Sequence, residues 1–430
     1  MAAQTTTTLD ETLVRLFSRD KLFEPCERSE RRFYDDMEDA EDERPGGAGL
    51  YFEIIGATGK AVGNPAEGGD WTAPRTRLGV QCSVTSAQID VSFEISSKFL
   101  EAAAGEGSFR GDAETDAIME ATADLFDYAD RLLGVGHGTG RLAIVDVTVT
   151  GTTITCRLPE RAFQLRPNQP IDFVNTDTGG TVQASRTITD INYAAGTFQV
   201  NSSVSVTAGW GVYQADVYGN PMPNGLRMIV DDGDFASSIF GQSRTAPNTF
   251  LNSVVMDGNG GLQDYDEHLN AELCDRISWG NKFIPTEQRC NLGIIGEWRR
   301  STTPDRIFMD NGKPFKPNTG SNHGDDNGQN GPAFIYGTHR IPFVVDKNLP
   351  ARELYALHKP SWRKHVLRKA DWIKKGGSIL HQKPAAGGET YAHAVVANQM
   401  MDMTISCRKL NAQGKLSNLR DRGAAGDSAS

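Results

Sequence analysis

The sequence predicts an α+β chain built around one long helix, and three stretches carry that expectation. Gly111 to Gly134 (GDAETDAIMEATADLFDYADRLLG) repeats Ile118, Leu125, Ala129 and Leu132 at helical steps, with Met119, Phe126 and Leu133 widening the apolar stripe. Leu50 to Val62 and Leu78 to Phe93 read as strands joined through the Gly- and Pro-rich Gly63 to Arg77, an extended hairpin with Trp71 at the centre of its tip. Arg141 to Tyr213 then holds about six short alternating strands parted by Gly or Pro, a small antiparallel barrel or sandwich inserted as its own unit.

The long helix is marked at both ends. Asp112 suits its cap, Glu114 and Asp116 sit near the positive end of the dipole, Arg131 falls in the last turn and Gly134 suits the C′ position. At ~1.5 Å per residue its roughly 22 residues span about 33 Å. The 430 residues allow two to three domains with a core that needs neither disulfides nor metal. A net charge of -11 excludes a binder held to nucleic acid by overall electrostatics, while leaving room for a local basic face. The six cysteines (26, 82, 156, 274, 290 and 407) are scattered without zinc spacing and read as reduced packing residues. No signal segment and no run of about 18 apolar residues is present, so folding in a cytoplasm is expected.

Along the chain, residues 1–9 form a polar tail and Leu9 to Phe23 permits a short amphipathic helix. Asp35 to Glu43 (DDMEDAEDE) is an acidic run, read either as a solvated linker or as an ionic contact with a neighbouring subunit. Trp71 is either packed locally or docked on another subunit. Ser92 to Ala104 reads as a short helix. Past the barrel, Leu226 to Val230 reads as a strand, Tyr265 to Trp279 and Thr286 to Arg300 as helices, and Asp310 to Pro332 as a low-complexity loop. Strands return at Ala333 to Val345 and Glu353 to Leu357. Lys359 to Lys375 carries seven Lys or Arg against Asp371, with Trp362 and Trp372 interleaved, and the chain from Lys409 reads as a polar, disordered tail.

No catalytic constellation emerges. Gly138, Gly140 and Ala143 fit a dinucleotide pattern by letter, but a helix precedes them and a strand follows, the reverse of what a pyrophosphate at a helix N-terminus needs. Gly59-Lys60 is followed by Ala61 where a P-loop needs a hydroxyl, and Gly241-Gln242-Ser243-Arg244-Thr245 lacks the second glycine of a nucleophile elbow. His323, Asp325, Asp326 and Asn327 do not match a calcium loop and read as a solvated turn. The basic segment has the charge and stacking surface to bind single strands, against the simpler reading of a packed element with a charged outer face. No cofactor or metal is expected, and a hydrolase would need a pocket with shifted acids and bases that no motif supplies.

The order of parts, from the hairpin tip Ala66-Glu67-Gly68-Gly69-Asp70-Trp71-Thr72-Ala73-Pro74 through the acidic-faced helix ending LLGVGHGTG, resembles the major capsid proteins of tailed bacteriophages, of the Hong Kong ninety-seven type shared with encapsulin shells. Tyr336-Gly-Thr-His-Arg-Ile-Pro-Phe-Val-Val-Asp with Leu349-Pro350 and Leu354-Tyr355-Ala356-Leu357 is similar to the late strand pair of that family. The resemblance implies an N-terminal arm (1–45), an extended loop (46–82), a peripheral domain with the spine helix (83–140), an inserted β-rich domain (141–216), an axial domain (217–345), a return to the peripheral domain (346–412) and a disordered tail (413–430). It further implies a non-enzymatic virion protein that assembles in the host cytoplasm as hexamers and pentamers into an icosahedral head enclosing double-stranded DNA, with no membrane partner. Portal, scaffolding and decoration proteins are the implied partners. Glu67, Asp70, Trp71 and Arg75 are then the intersubunit contacts of the loop, and Lys359, Arg363, Lys364, Arg368 and Lys369 face DNA or acidic arms. Lys60 lies off the tip, so no crosslink is expected. The competing expectations are an encapsulin-type compartment for protein cargo and another structural virion part of the tail or baseplate.

Overall fold

The computed structural model describes residues 32–40, 50–57, 76–96, 109–136, 138–157, 164–175, 179–193, 195–281, 283–309, 333–346, 348–375, 378–384 and 391–421. The helices are α1 (Arg32–Asp36), α2 (Phe109–Val135), α3 (Leu226–Ile229), α4 (Glu267–Asn281) and α5 (Leu292–Met309). The chain divides into two compact units, one of Met1–Asp35, Ala87–Asp130 and Val366–Met403, the other of Asp36–Ser86, Arg131–His365 and Thr404–Ser430.

The second unit begins with β1 (Leu50–Ala57) and β2 (Leu78–Val84), paired antiparallel from Leu50↔Val84 to Ala57↔Leu78. Alternation fixes which face is inward: Leu50, Ile54, Cys82 and Val84 are buried, and Phe52 meets Phe240 edge-on at 5.4 Å. The expected hairpin is therefore present in its stem; its tip lies outside the described residues. The first unit holds β3 (Ala87–Ser96), so the stretch expected to run unbroken from Leu78 to Phe93 is two strands of separate sheets. Ser92 to Ser96 is also strand, where a helix was expected, because Ala87, Ile89 and Ile95 alternate with exposed Gln88 and Asp90.

In the barrel region, β4 (Arg141–Ile144), β5 (Val149–Thr155), β6 (Pro170–Val174), β7 (Thr181–Asn192), β8 (Thr197–Val206) and β9 (Gly211–Gln214) form an antiparallel sheet in the order β4-β9-β6-β7-β8-β5. Its two end strands meet: Val145 bridges Cys156, and the Arg157 and Asp146 amides donate to Ile144 and Thr155 carbonyls at 2.8 Å each. Closure removes both exposed edges. Ile154, Leu165, Ile171, Ile188 and Val212 fill the interior, with Phe173 stacked on Phe198 at 6.2 Å.

After a small hairpin of β10 (Ser238–Ile239) and β11 (Gln242–Ser243), the strands β12 (Val254–Met256), β13 (Glu287–Cys290), β14 (Ala333–Tyr336), β15 (His339–Val345), β16 (Leu354–Leu357) and β20 (Gly414–Leu416) make a mixed sheet ordered β12-β20-β16-β13-β15-β14. α4 and α5 bury Leu273, Cys274, Ile277, Ile294, Ile295 and Trp298 in one cluster with Ile341, Phe343, Leu354 and Leu416. Three expectations change here. Leu226 to Ile229 is a helical turn; Thr286 to Arg300 is a strand followed by a helix; and the chain from Lys409 to Asp421 is packed, with Leu410, Leu416 and Leu419 buried. Each was a run of only four or five apolar residues, or a polar one, too short to show a period. The loop expected at Asp310 to Pro332 lies outside the described residues.

In the first unit, β19 (Tyr391–Cys407) is central. β3 pairs with it from Ala394↔Ser96 to Met403↔Ala87, while β17 (Trp362–Trp372) and β18 (His381–Pro384) complete the sheet. β17 begins and β19 ends in residues of the second unit. α2 buries Ala121, Leu125 and Ala129, as its stripe requires, but Met119 points to solvent. Tyr34 packs on Phe126 at 5.5 Å, and its amide donates to Asp130 Oδ1 at 3.0 Å. α2 starts at Phe109 and runs to Val135, so Asp112 lies inside it and Gly134 is no C′ residue. A Cβ at Gly134 would meet the Asn348 carbonyl oxygen at 2.7 Å, so glycine is there for close approach. Arg131 is buried and donates to the Gln164 carbonyl, while Gln164 Nε2 donates to Asn348 O at 2.7 Å.

Candidate functional site

The outer face of the β1–β2 stem is the first candidate. Tyr51 is 56% exposed and Ile55 50%, and between them Glu53 pairs with Arg77 at 2.7 Å. The rest of that face is Gly79, Gln81 and Ser83, so it is mixed; a lone pair of strands is marginal in water, and Tyr51 and Ile55 leave apolar surface suited to another protein. Glu67, Asp70, Trp71 and Arg75 all lie outside the described residues.

The basic segment is strand, not a free patch. Lys359 sits in the turn before β17, its amide donating to Thr286 Oγ1 at 2.9 Å. Arg363 pairs with Glu38 at 2.8 Å and Lys364 with Asp39 at 3.1 Å. The backbone joins too: Lys364 N donates to Glu38 O and Ala40 N to Lys364 O, each at 2.9 Å, in a parallel bridge. Asp36 reaches Arg289, which is 1% exposed and also held by Glu287, at 2.6 and 2.7 Å. Burial pulls the Arg289 pKa down, but the charges and hydrogen bonds of Glu287 and Asp36 outweigh it and leave it raised. At these positions the acidic run is bonded within its own chain: Glu38 and Asp39 strap the edge strand β17, and Asp36 pairs with Arg289 on β13, inside the mixed sheet. Arg368 lies 3.8 Å from Asp402, and Lys369 is exposed.

Sequence reasoning missed Arg289 and Arg244. Arg244, buried in the loop after β10–β11, donates to the carbonyls of Met228 (2.7 Å), Ile229 (3.0 Å), Leu251 (3.3 Å) and Asp231, closing the end of α3. Ser243, the serine of the near-motif, shares a hydrogen bond with Thr245 and faces no base within that motif. A cleft of about 220 Å³ opens beside Ser83, Thr85, Met222, Met228 and Phe240, and none of its lining side chains is an acid, a base or a thiol. Gly138 and Gly140 have positive φ (73° and 79°) and turn the chain from helix into strand, the order that disfavours a phosphate loop. Among the described residues no cluster suits a metal ion, and no helix is long and apolar enough to cross a membrane. His323, Asp325, Asp326 and Asn327 lie outside those residues.

No protein-family model and no curated protein matches this sequence. Solved structures do match. A chain of the cyanophage A-1(L) capsid asymmetric unit is 12% identical with a TM-score of 0.53, over 93% of this chain and 96% of that one. The capsid of a native GTA particle (8% identical, TM-score 0.45, 93% of each chain) and the SrpI encapsulin of Synechococcus elongatus PCC 7942 (9%, 0.42, 97% of this chain and 96% of that one) are more distant. The cyanophage likeness, spanning both chains almost end to end, establishes the fold: α+β, of the phage-capsid type.

Proposed function

We propose that this chain is the major capsid protein of a tailed phage, assembling as hexamers and pentamers into the icosahedral head that encloses double-stranded DNA. The observation that carries this reading is a capsid-type fold shared over nearly the whole chain, with the stem of the hairpin leaving Tyr51 and Ile55 bare on its outer face. A monomer gains nothing from such a face. In a shell it is covered by a neighbouring copy, and each modest contact is multiplied by symmetry. Glu67, Asp70, Trp71 and Arg75 at the hairpin tip are the intersubunit contacts of this reading.

The same reading divides the chain into arm (1–45), extended loop (46–82), peripheral (83–140 and 346–412), inserted (141–216) and axial (217–345) domains. Lys359, Arg368 and Lys369 are the basic residues this reading offers to DNA for non-specific contact, since Arg363 and Lys364 are engaged by the acidic strap. Assembly takes place in the host cytoplasm, with portal and scaffolding or decoration proteins as partners, and the function is structural and not enzymatic. The test is negative-stain microscopy with light scattering on the purified chain. Closed shells or rings of six and five are expected; a monodisperse monomer, even when expressed with its phage's other head proteins, contradicts the reading. Shells loaded with protein and free of DNA indicate the encapsulin alternative, and open tubes a tail component.

A further inference from the structure

Helices α4 and α5 press their inner faces into the core of the mixed sheet, and each leaves an outer stripe bearing one large, bare apolar side chain. On α4 the stripe is His268, Glu272, Asp275, Arg276 and Trp279, with Trp279 91% exposed. On α5 it is Leu292, Gly296, Arg299 and Arg300, with Leu292 71% exposed. A scattered surface leucine is ordinary, but a tryptophan presenting nearly its whole indole to water is an anchor without a pocket.

The two stripes fit each other. Trp279 follows Asp275 by four residues and Glu272 by seven; Leu292 precedes Gly296 by four and Arg299 by seven. At ~1.5 Å per residue these intervals are about 6 Å and about 10 Å on both helices. Laid antiparallel, the helices set Trp279 on Leu292, Asp275 over Gly296 and Glu272 against Arg299. Gly296 has nothing within 4 Å of where a Cβ would stand, so its outward side is open for close approach. The charges also agree. The exposed side of α4 and the turn before it carries Asp266, Glu267, Glu272 and Asp275 against Arg276, and that of α5 carries Arg299 and Arg300. Glu272 pairs with Arg276 along its own helix at 2.5 Å and Asp275 accepts from the Tyr336 hydroxyl, which fixes both carboxylates on the outer side.

We infer that α4 of one copy docks antiparallel on α5 of the next copy of this chain, an inference that rests on the capsid reading for the existence of a ring of copies. The two surfaces differ, so the contact is heterologous and repeats around a closed ring. Trp279 and Leu292 stand bare on these two stripes, and the acidic stripe faces the basic one.

The test compares the full-length chain with Trp279→Ala, Glu272→Arg, Arg299→Glu and the double variant Glu272→Arg/Arg299→Glu. Trp279 and Glu272 are exposed, and circular dichroism confirms that each variant folds. Trp279→Ala and both single charge reversals are expected to lower the fraction of protein in rings or shells at least tenfold, and the double reversal to restore most of it. A Trp279→Cys/Leu292→Cys variant is expected to form a disulfide between chains that neither single cysteine variant forms. If the unmodified chain assembles and Trp279→Ala assembles equally well without the crosslink, this inference fails while the capsid reading stands. If the unmodified chain forms neither rings nor shells and no crosslink appears, the capsid reading fails and takes the inference with it.

Discussion

At the scale of single residues, buried charge is spent on fixing loops and straps. Arg244 answers carbonyls from two stretches of chain, 228–231 and Leu251, and its planar fork is what reaches them together. Burial lowers its pKa, and the nearby Asp231 and Asp232 act against that. Arg244→Lys leaves some of those carbonyls without a donor, and a loss of about 3 kcal/mol is expected in chemical denaturation. An unchanged midpoint would show that water replaces the guanidinium. Cysteine behaves oppositely: Cys82, Cys156, Cys274, Cys290 and Cys407 are free and buried. Burial pushes the thiols of Cys82 and Cys407 up to about 11 and that of Cys274 to about 12. At pH 8 these five are expected to resist alkylation in the folded chain and to react within minutes once it is unfolded. Mass spectrometry of the labelled peptides checks this site by site.

At the scale of elements, the strap and the helix-on-sheet contact are the exposed points of failure. Glu38 is largely solvated in its pair with half-buried Arg363, so Glu38→Ala is expected to cost less than about 1 kcal/mol. Asp36→Ala removes one of two carboxylates from a fully buried guanidinium and is expected to cost about 2–3 kcal/mol, with faster amide exchange at Ala40 and Lys364. Equal effects of the two variants would contradict this ranking. Gly414 lies under α4, where a Cβ would stand 2.6 Å from Ile277 Cδ1 and 2.9 Å from Leu273 Cδ1; Gly414→Ala is expected to lose about 1–3 kcal/mol by overpacking. These elements differ in how far their letters declared them. The stripe of α2, the hairpin stem and the barrel strands each show a clear period and form where the sequence places them, except that Met119 faces solvent and the second hairpin strand ends at Val84. Glu-Gln-Arg-Cys of β13 looks like the start of a helix because its polar side chains are satisfied from afar: Gln288 by Asn270 at 2.6 and 3.0 Å, and Arg289 by Asp36. The packed end from Leu410 to Asp421 is hidden for the same reason, its Lys415 paired with buried Asp231 at 3.6 Å.

At the scale of the whole molecule, the chain keeps large apolar side chains in the open, among them Tyr51 and Ile55 on the outer hairpin face, Trp279 and Leu292. In a shell of the kind proposed for this capsid-type fold, each would meet a partner in the next copy. Order of elements made that fold legible from the sequence, through the hairpin, the helix and the late strand pair. The surfaces were less legible, because an exposed tryptophan and a buried one are the same letter until the helix carrying it is placed on its sheet. Trp71→Ala is expected to weaken shells while leaving the monomer folded, its urea midpoint unchanged. The most direct test of the central claim is a cryo-electron microscopy reconstruction of the purified assembly, traced through the β1–β2 hairpin. The expected map shows a closed shell in which the hairpin crosses onto a neighbouring subunit and its outer face, with Tyr51 and Ile55, is covered. A map in which the hairpin folds back on its own subunit, with Tyr51 and Ile55 in solvent, would contradict it.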